Sequence, residues 1–349
     1  MAAAHNPQPP SRQSLVIWAV SDGRAGIANQ VLGLAEAVAR LAPATIVVKT
    51  LRYAPLFDRW PTALKLWPDA MLASDSDRVA APDDGGWPDI WIAAGRATLP
   101  HSRRMRARSH GHTFVVQLQD PGDVSAYDLV IAPEHDQVSG DNTFSLLGST
   151  NRVTRDRLTA EAGAWRERLA ALPQPRIAAL IGGRSRTHDL SVERAEALAG
   201  QLRLTVEASG GSLLLSLSRR TPEPARQVLA ERLKDLPGII YDGQRAGPAD
   251  GNPYFAFLDA ADHVLVTEDS VNMAAEGAVT GKPVHVLAMD RLRPGGKFER
   301  FHQALRDQGI TRPFDGRLDS WTYAPLDETE RAAHKVLEVF NAKFPDRAV

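Results

Sequence analysis

Short apolar runs recur along the chain, most followed by a turn rich in Gly, Ser, Asp or Arg and then by apolar residues at helical spacing. The first run, Leu15–Val20, leads into Ser21-Asp22-Gly23-Arg24-Ala25-Gly26 and a helix over Asn29–Leu41, with apolar positions Val31, Leu34, Ala35 and Val38. Further strands are predicted at Ala44–Leu51, Ile90–Ala94, Thr113–Leu118 and Leu129–Ile131, with a helix at Leu99–Arg108. Near residue 150 the pattern becomes a polar, Arg-rich helix ending at Leu172, and Pro173-Gln174-Pro175 reads as an interdomain linker. A second series opens with Ile177–Ile181, turns at Gly182-Gly183-Arg184-Ser185 and continues as a helix over Ser191–Leu204. Its remaining strands are predicted at Ser212–Ser216, Gly238–Tyr241, His263–Val266 and Val284–Leu287. Apolar strands alternating with helices imply parallel sheets covered on both faces. The expected fold class is α/β, with two Rossmann-like doubly wound domains facing across a cleft. The expected bounds are a disordered tail over 1–14, domains over 15–172 and 173–325, and a C-terminal helix in 326–349 that packs across the domains.

Residues 263–287 carry the most specific pattern: strand, polar turn, helix, Gly turn and strand. Thr267, Asp269 and Ser270 offer capping oxygens, and Asn272 falls in the first helical turn. Free N–H groups and the positive end of the helix dipole stabilise a phosphate there. Glu276 lies about 9 Å along the axis from Ser270, a distance suited to accepting ribose hydroxyls while phosphates occupy the helix start. Gly281-Lys282-Pro283 stops the helix.

Composition narrows the classes. A chain of 349 residues, 43% apolar and 24% charged, has room for two ordinary cores, which excludes a single small module. With 41 basic and 42 acidic side chains, nothing predicts nucleic acid as a partner. The absence of cysteine removes disulfides, thiolate nucleophiles and zinc ribbons. The start, MAAAHNPQPPSRQS, is Pro-rich and polar and lacks the apolar region of a signal peptide. No run approaches the ~18 apolar residues of a membrane span. The expected location is cytoplasmic, with peripheral contact at the inner membrane left open.

TEDSVNMAAEGAVTGKP resembles the nucleotide-sugar segment of GT-B-fold glycosyltransferases, in which a helix Glu holds ribose and the helix start holds diphosphate. Over nearly the whole chain, SDGRAGIANQVLGLA, PEHD at 133–136, IGGRSRTHDL, SRRTP at 218–222, the 267–283 segment and KFERFH at 297–302 resemble the bacterial branch of the mitochondrial-fission "elongated mitochondria one" family. That resemblance implies a GT-B-like architecture. Its plant members are implicated in recruiting a dynamin-related protein to mitochondria.

The residues offer several candidate roles, each beside a plainer one. Gly182 and Gly183 can bring backbone N–H groups to a phosphate with Arg184 adding charge, or simply form a tight turn. Ser218, Arg219 and Arg220 can clamp a diphosphate, or start a helix at Thr221-Pro222. Lys297 and Arg300, with Phe298, Phe301 and His302, can close over a nucleotide or pack as an amphipathic helix. The resemblance places Asp22 where an inverting GT-B enzyme often carries its base; the alternative is an Asp-Gly turn residue bonding its own backbone. His135 can shuttle a proton with Glu134 or Asp136 orienting it, or the three can form a local loop. No metal or cofactor is expected: no HExxH or matching distant triad accompanies that cluster, and neither the 21–26 turn nor Gly295-Gly296-Lys297 has P-loop spacing. Leu56, Phe57, Trp60, Leu64 and Trp67 read as a set buried against their own domain, with a membrane surface as the alternative.

Three functions follow: a GT-B-type glycosyltransferase binding a nucleotide diphosphate-sugar and an unknown acceptor, a nucleotide-sugar epimerase, or a non-catalytic interaction protein that keeps the fold.

Overall fold

The computed structural model describes residues 14–81, 86–243, 251–293 and 296–349. Apart from Ser14, the expected tail lies outside these residues, as does Gly295. In chain order the strands are β1 Leu15–Ser21, β2 Ala44–Thr50, β3 Ile90–Ala93, β4 Phe114–Leu118, β5 Leu129–Pro133, β6 Thr143–Leu146, β7 Arg176–Ile181, β8 His188–Asp189, β9 Ser212–Leu217, β10 Gly238–Tyr241, β11 His263–Thr267, β12 Val284–Leu287, β13 Asp290–Arg291 and β14 Thr311–Pro313. They form two six-stranded sheets, in the orders β2-β1-β3-β4-β5-β6 and β10-β9-β7-β11-β12-β14, and a two-stranded pair β8–β13. Within the sheets β1 to β5 pair in parallel, as do all six strands of the second.

The chain divides into two compact units. The first comprises residues up to 132, 138–146 and 329–349. On β1, Ile17 and Ala19 face one side while Trp18 and Val20 face the other, and all four are buried. The Ile17 side packs Val31, Leu34 and Val38 of the Ala25–Leu41 helix together with Ala332, Val336 and Phe340 of the C-terminal helix. The Trp18 side packs Trp91, Val115 and Val130 with Met105, Tyr53 and Leu72. The C-terminal helix, Glu328–Lys343, thus contributes its buried face to the first core.

The second unit comprises residues 133–137 and 147–328. Ala178, Leu180, Val264 and Val266 face a layer containing Leu158, Trp165, Leu169, Phe257 and Ala274, while Ile177, Ala179, Leu215 and Leu265 face Leu198, Leu202 and Leu229. The division therefore falls after Leu146, not at 172. The Arg-rich stretch reads as polar, yet Leu158, Ala162, Trp165 and Leu169 share one buried side and belong to the second core. Pro173 and Pro175 accept from the Ser212 hydroxyl and N–H at 2.7 and 3.0 Å, so the expected linker is a loop fixed to the second sheet.

The 55–67 segment corrects another expectation. Leu56, Leu64 and Trp67 are 71%, 55% and 69% exposed, while Lys65 occupies a buried position. A short helix, Pro55–Asp58, and a single 3-10 turn, Thr62–Leu64, are broken by Pro61, so these apolar residues never share one inward stripe.

In the second sheet the chain leaves β7 toward β9 and β10 and returns on the other side through β11, β12 and β14. The carboxyl ends of β7 and β11 are adjacent at this reversal, the position where ligands bind in open α/β sheets.

Candidate functional site

At the reversal, the glycine turn after β7 meets the loop after β11. The Gly182 N–H donates to Thr267 Oγ1 at 2.8 Å and the Gly183 N–H to Asp269 Oδ2 at 3.1 Å. The Thr267 hydroxyl donates to Asp269 Oδ1 at 2.7 Å, and Arg220 pairs with Asp269 Oδ2 at 2.8 Å. Both glycines are required by close approach: an added Cβ would lie 2.1 Å from Asp269 Oδ1 at position 182 and 2.0 Å from the Arg220 carbonyl at 183. The N–H groups of the expected phosphate cradle are thus engaged within the fold. The Gly182 N–H serves the Thr267 hydroxyl, while the Gly183 N–H and Arg220 serve the Asp269 carboxylate, whose side chain is fully buried.

Ser270 caps the helix that follows, Val271–Val279, accepting from the Met273 N–H at 3.3 Å. In its first turn, Asn272 Oδ1 accepts from the Ser149 hydroxyl at 3.0 Å. Two turns in, Glu276 is 7% exposed and accepts a hydrogen bond from the Tyr254 hydroxyl. Burial raises the Glu276 pKa to about 7, with the Tyr254 bond offsetting part of the rise. Burial also pushes the Tyr254 phenol well above its ordinary value.

The remaining candidates ring this edge. Ser218 accepts from the Arg220 N–H at 3.1 Å and closes a turn in which Arg219 is exposed. Arg184 is largely exposed, 3.8 Å from Asp189. Lys297, at the start of the Lys297–Asp307 helix, donates to Asp136 at 3.2 Å. In the same helix Arg300 donates to the His135 carbonyl at 2.7 Å and Phe301 meets the His135 ring edge-on at 5.4 Å. These contacts bring Glu134, His135 and Asp136 into the second unit, although they follow a strand of the first sheet. Burial lowers the His135 pKa to about 4, so the ring is neutral at physiological pH; Glu134 is exposed.

Sequence reading passed over Glu268 and His188. Glu268 is buried between the singled-out Thr267 and Asp269 and accepts from the Met289 N–H and Arg291, each at 2.8 Å. Burial alone would raise its pKa, but the Arg291 and Met289 bonds outweigh it and hold the carboxyl below its usual range. His188 Nε2 lies 4.0 Å from Glu268 Oε1, and His302 bonds the Glu268 carbonyl at 2.8 Å. A cavity of about 60 Å³ opens among His188, Glu268, Arg291, Phe298 and His302. It is too small for a whole nucleoside diphosphate. The signal for Glu268 was its place in the loop; Tyr254 left none, because only the fold brings it to Glu276.

Asp22 belongs to the first unit. Its carboxylate accepts from the Arg24 N–H at 3.1 Å and pairs with the Arg24 side chain at 2.5 Å, an arrangement internal to the turn. Among the described residues no group of three or more His, Cys, Asp or Glu side chains is placed to hold a metal ion, and no helix is long and apolar enough to cross a membrane.

Solved structures share this fold. A UDP-GlcNAc 2-epimerase from Methanocaldococcus jannaschii, in complex with UDP-GlcNAc and UDP, matches with a TM-score of 0.52 at 11% identity, covering 95% of this chain and 100% of that one. Os79 from O. sativa, in complex with UDP, matches with a TM-score of 0.52 at 12% identity, covering 95% and 93%. At such identities the likeness is one of fold, and it bears out the GT-B-like α/β architecture. Sequence relatives are more specific. The "Mitochondrial fission protein ELM1" of Arabidopsis thaliana is 31% identical over 277 residues, 71% of this chain and 63% of that protein's length, so the match spans less than two thirds of the relative. "Uncharacterized protein RP120" of Rickettsia prowazekii (strain Madrid E) is 22% identical over 91% of this chain and 96% of its own length. The family model described as mitochondrial fission ELM1 matches residues 25–340. The chain belongs to the mitochondrial fission ELM1 family.

Proposed function

We propose that the second unit binds a nucleoside diphosphate-sugar at the carboxyl edge of its sheet and that the chain acts as a GT-B-type glycosyltransferase in the cytoplasm. The observation that carries this reading is the Ser270-capped helix at the strand-order reversal, with the buried carboxylate of Glu276 two turns along it. In this reading the diphosphate takes the helix start with Arg184 and Arg219, and the ribose hydroxyls reach Glu276 in place of, or beside, the Tyr254 hydroxyl. The UDP and UDP-GlcNAc bound by the two fold relatives support the ligand class. Asp22 is the proposed base toward an acceptor hydroxyl, once it exchanges the Arg24 pair for that hydroxyl.

A specific observation favours a second reading. The Gly182 and Gly183 N–H groups and Arg220 are already spent on Thr267 and Asp269, which suits a non-catalytic interaction protein as well as an enzyme. Calorimetric titration with uridine, adenosine and guanosine diphosphates and their sugars separates the two. Selective binding supports the first reading, and heat-silent titrations with all of them support the second. Conversion of a bound nucleotide sugar without any acceptor would turn the assignment to an epimerase. The further partner of this reading is a membrane surface, met through the first unit.

A further inference from the structure

The segment 55–67 of the first unit is built inside out. Lys65, a residue type almost never fully buried, is 4% exposed, while its neighbours Leu64, Leu66 and Trp67 are 55%, 55% and 69% exposed. Trp60 and Leu56, at 40% and 71%, extend the apolar surface. Polar anchors beneath hold this inversion. Lys65 Nζ lies 3.6 Å from the centre of the Tyr53 ring and donates to the Asp58 carbonyl at 3.3 Å. Arg104 donates to the Leu66 carbonyl at 3.4 Å, Arg108 pairs with Asp69 at 2.8 Å, and Tyr53 bridges Leu72 across the base of the segment. The apolar tips are thus displayed by a fixed base, where turning Lys65 outward and a leucine inward would have hidden them. Five exposed apolar side chains within residues 56–67, held by a fixed base, mark a surface that meets another apolar phase.

The charge around the tips says which phase. Arg59 and Arg96 are exposed, and among the described residues neither makes an ion pair and Arg104 bonds only carbonyls. Arg96 is near enough to act electrostatically on Lys65, Arg104 bonds the Leu66 carbonyl, and Arg59 lies within the segment itself, so all three cations stand beside these tips. Against them stands Asp58, because the Asp69 carboxylate is engaged by Arg108. Tryptophan and leucine tips within a cationic rim match the interface of a bilayer carrying anionic phospholipid, where indoles sit at headgroup depth and arginines meet phosphates.

We propose that residues 56–67 form an interfacial membrane-docking surface selective for anionic lipid. This inference is independent of nucleotide binding by the second unit. It is tested by flotation of the full chain with vesicles of phosphatidylcholine alone or with about 30 mol% phosphatidylglycerol, a composition that sets an anionic surface potential. The expected result is flotation with the anionic vesicles, reduced by raised salt, and partitioning at least about tenfold weaker for Leu64→Ser/Trp67→Ser, since two exposed apolar side chains are lost. Arg59→Gln should reduce the preference for anionic over neutral vesicles while keeping the apolar contribution. Melting curves should match those of the parent chain, because the altered side chains are exposed. Absence of flotation, or equal flotation of the double variant, would overturn the proposal. So would an association between copies that the double variant abolishes in sedimentation while vesicles remain unbound, which would assign the surface to a second copy.

Discussion

The Tyr254 hydroxyl donates to Glu276 across the buried side of the Val271–Val279 helix. This bond satisfies a buried Glu276 carboxyl that pairs with no cation among the described residues, and its pKa stands at about 7. A ligand hydroxyl arriving there must share or replace a phenol.

The Glu276 pKa makes stability depend on pH. The folded-state value of about 7 lies above the ordinary value of 4.5, so the contribution is fully present below about pH 4 and is lost as pH rises through 7. The loss by pH 8 is on the order of 3 kcal/mol. Glu276→Gln removes the titration, so its melting temperature should gain on the parent chain between pH 5 and pH 8. Because the Tyr254 bond lowers the Glu276 pKa, Tyr254→Phe should move the parent's fall to still lower stability at neutral pH. Parallel melting profiles for all three proteins would contradict this.

Asp269 is expected to be structural first. It satisfies the Gly183 N–H, the Thr267 hydroxyl and Arg220 from a fully buried position. Asp269→Ala leaves these donors unpaired and should cost about 3–5 kcal/mol in urea unfolding. Gly183→Ala should be at least as damaging, since backbone and not a flexible side chain stands 2.0 Å from the new Cβ. Losses below about 1 kcal/mol would show that the turn rearranges freely.

Much of this was legible in the sequence, and the failures have physical reasons. Strands such as Ile177–Ile181 and His263–Val266 are apolar on both faces, so their periodicity and flanking turns announced them. The Ser270 cap was readable as a local side-chain-to-backbone bond. Satisfaction of the Gly182 and Gly183 N–H groups was not, because their acceptors lie more than eighty residues away. For the same reason Tyr254 was invisible beside Glu276, and the helices over 155–170 were placed with the wrong core. The inversion at Lys65 escaped because pattern reading assigns leucine and tryptophan to the interior by default.

Asp22 separates binding from chemistry. Among the described residues its bonds are confined to its own turn in the first unit, while the proposed nucleotide contacts belong to the second. Asp22→Asn should therefore leave nucleoside diphosphate affinity within about twofold while lowering any transfer rate by about 10²–10⁴. Calorimetry and a turnover assay on the same preparation check both halves. Transfer at the parent rate would remove Asp22 from the role of base.

The central claim is tested most directly by the affinity of the parent chain and of Glu276→Ala for a nucleoside diphosphate, measured by calorimetry at fixed pH and salt. The account predicts saturable binding by the parent and at least about tenfold weaker binding by the variant, the loss of one or two charge-assisted hydrogen bonds to ribose. Equal affinities would remove Glu276 from the site, and no binding to any nucleoside diphosphate or its sugar would contradict the nucleotide-sugar reading itself.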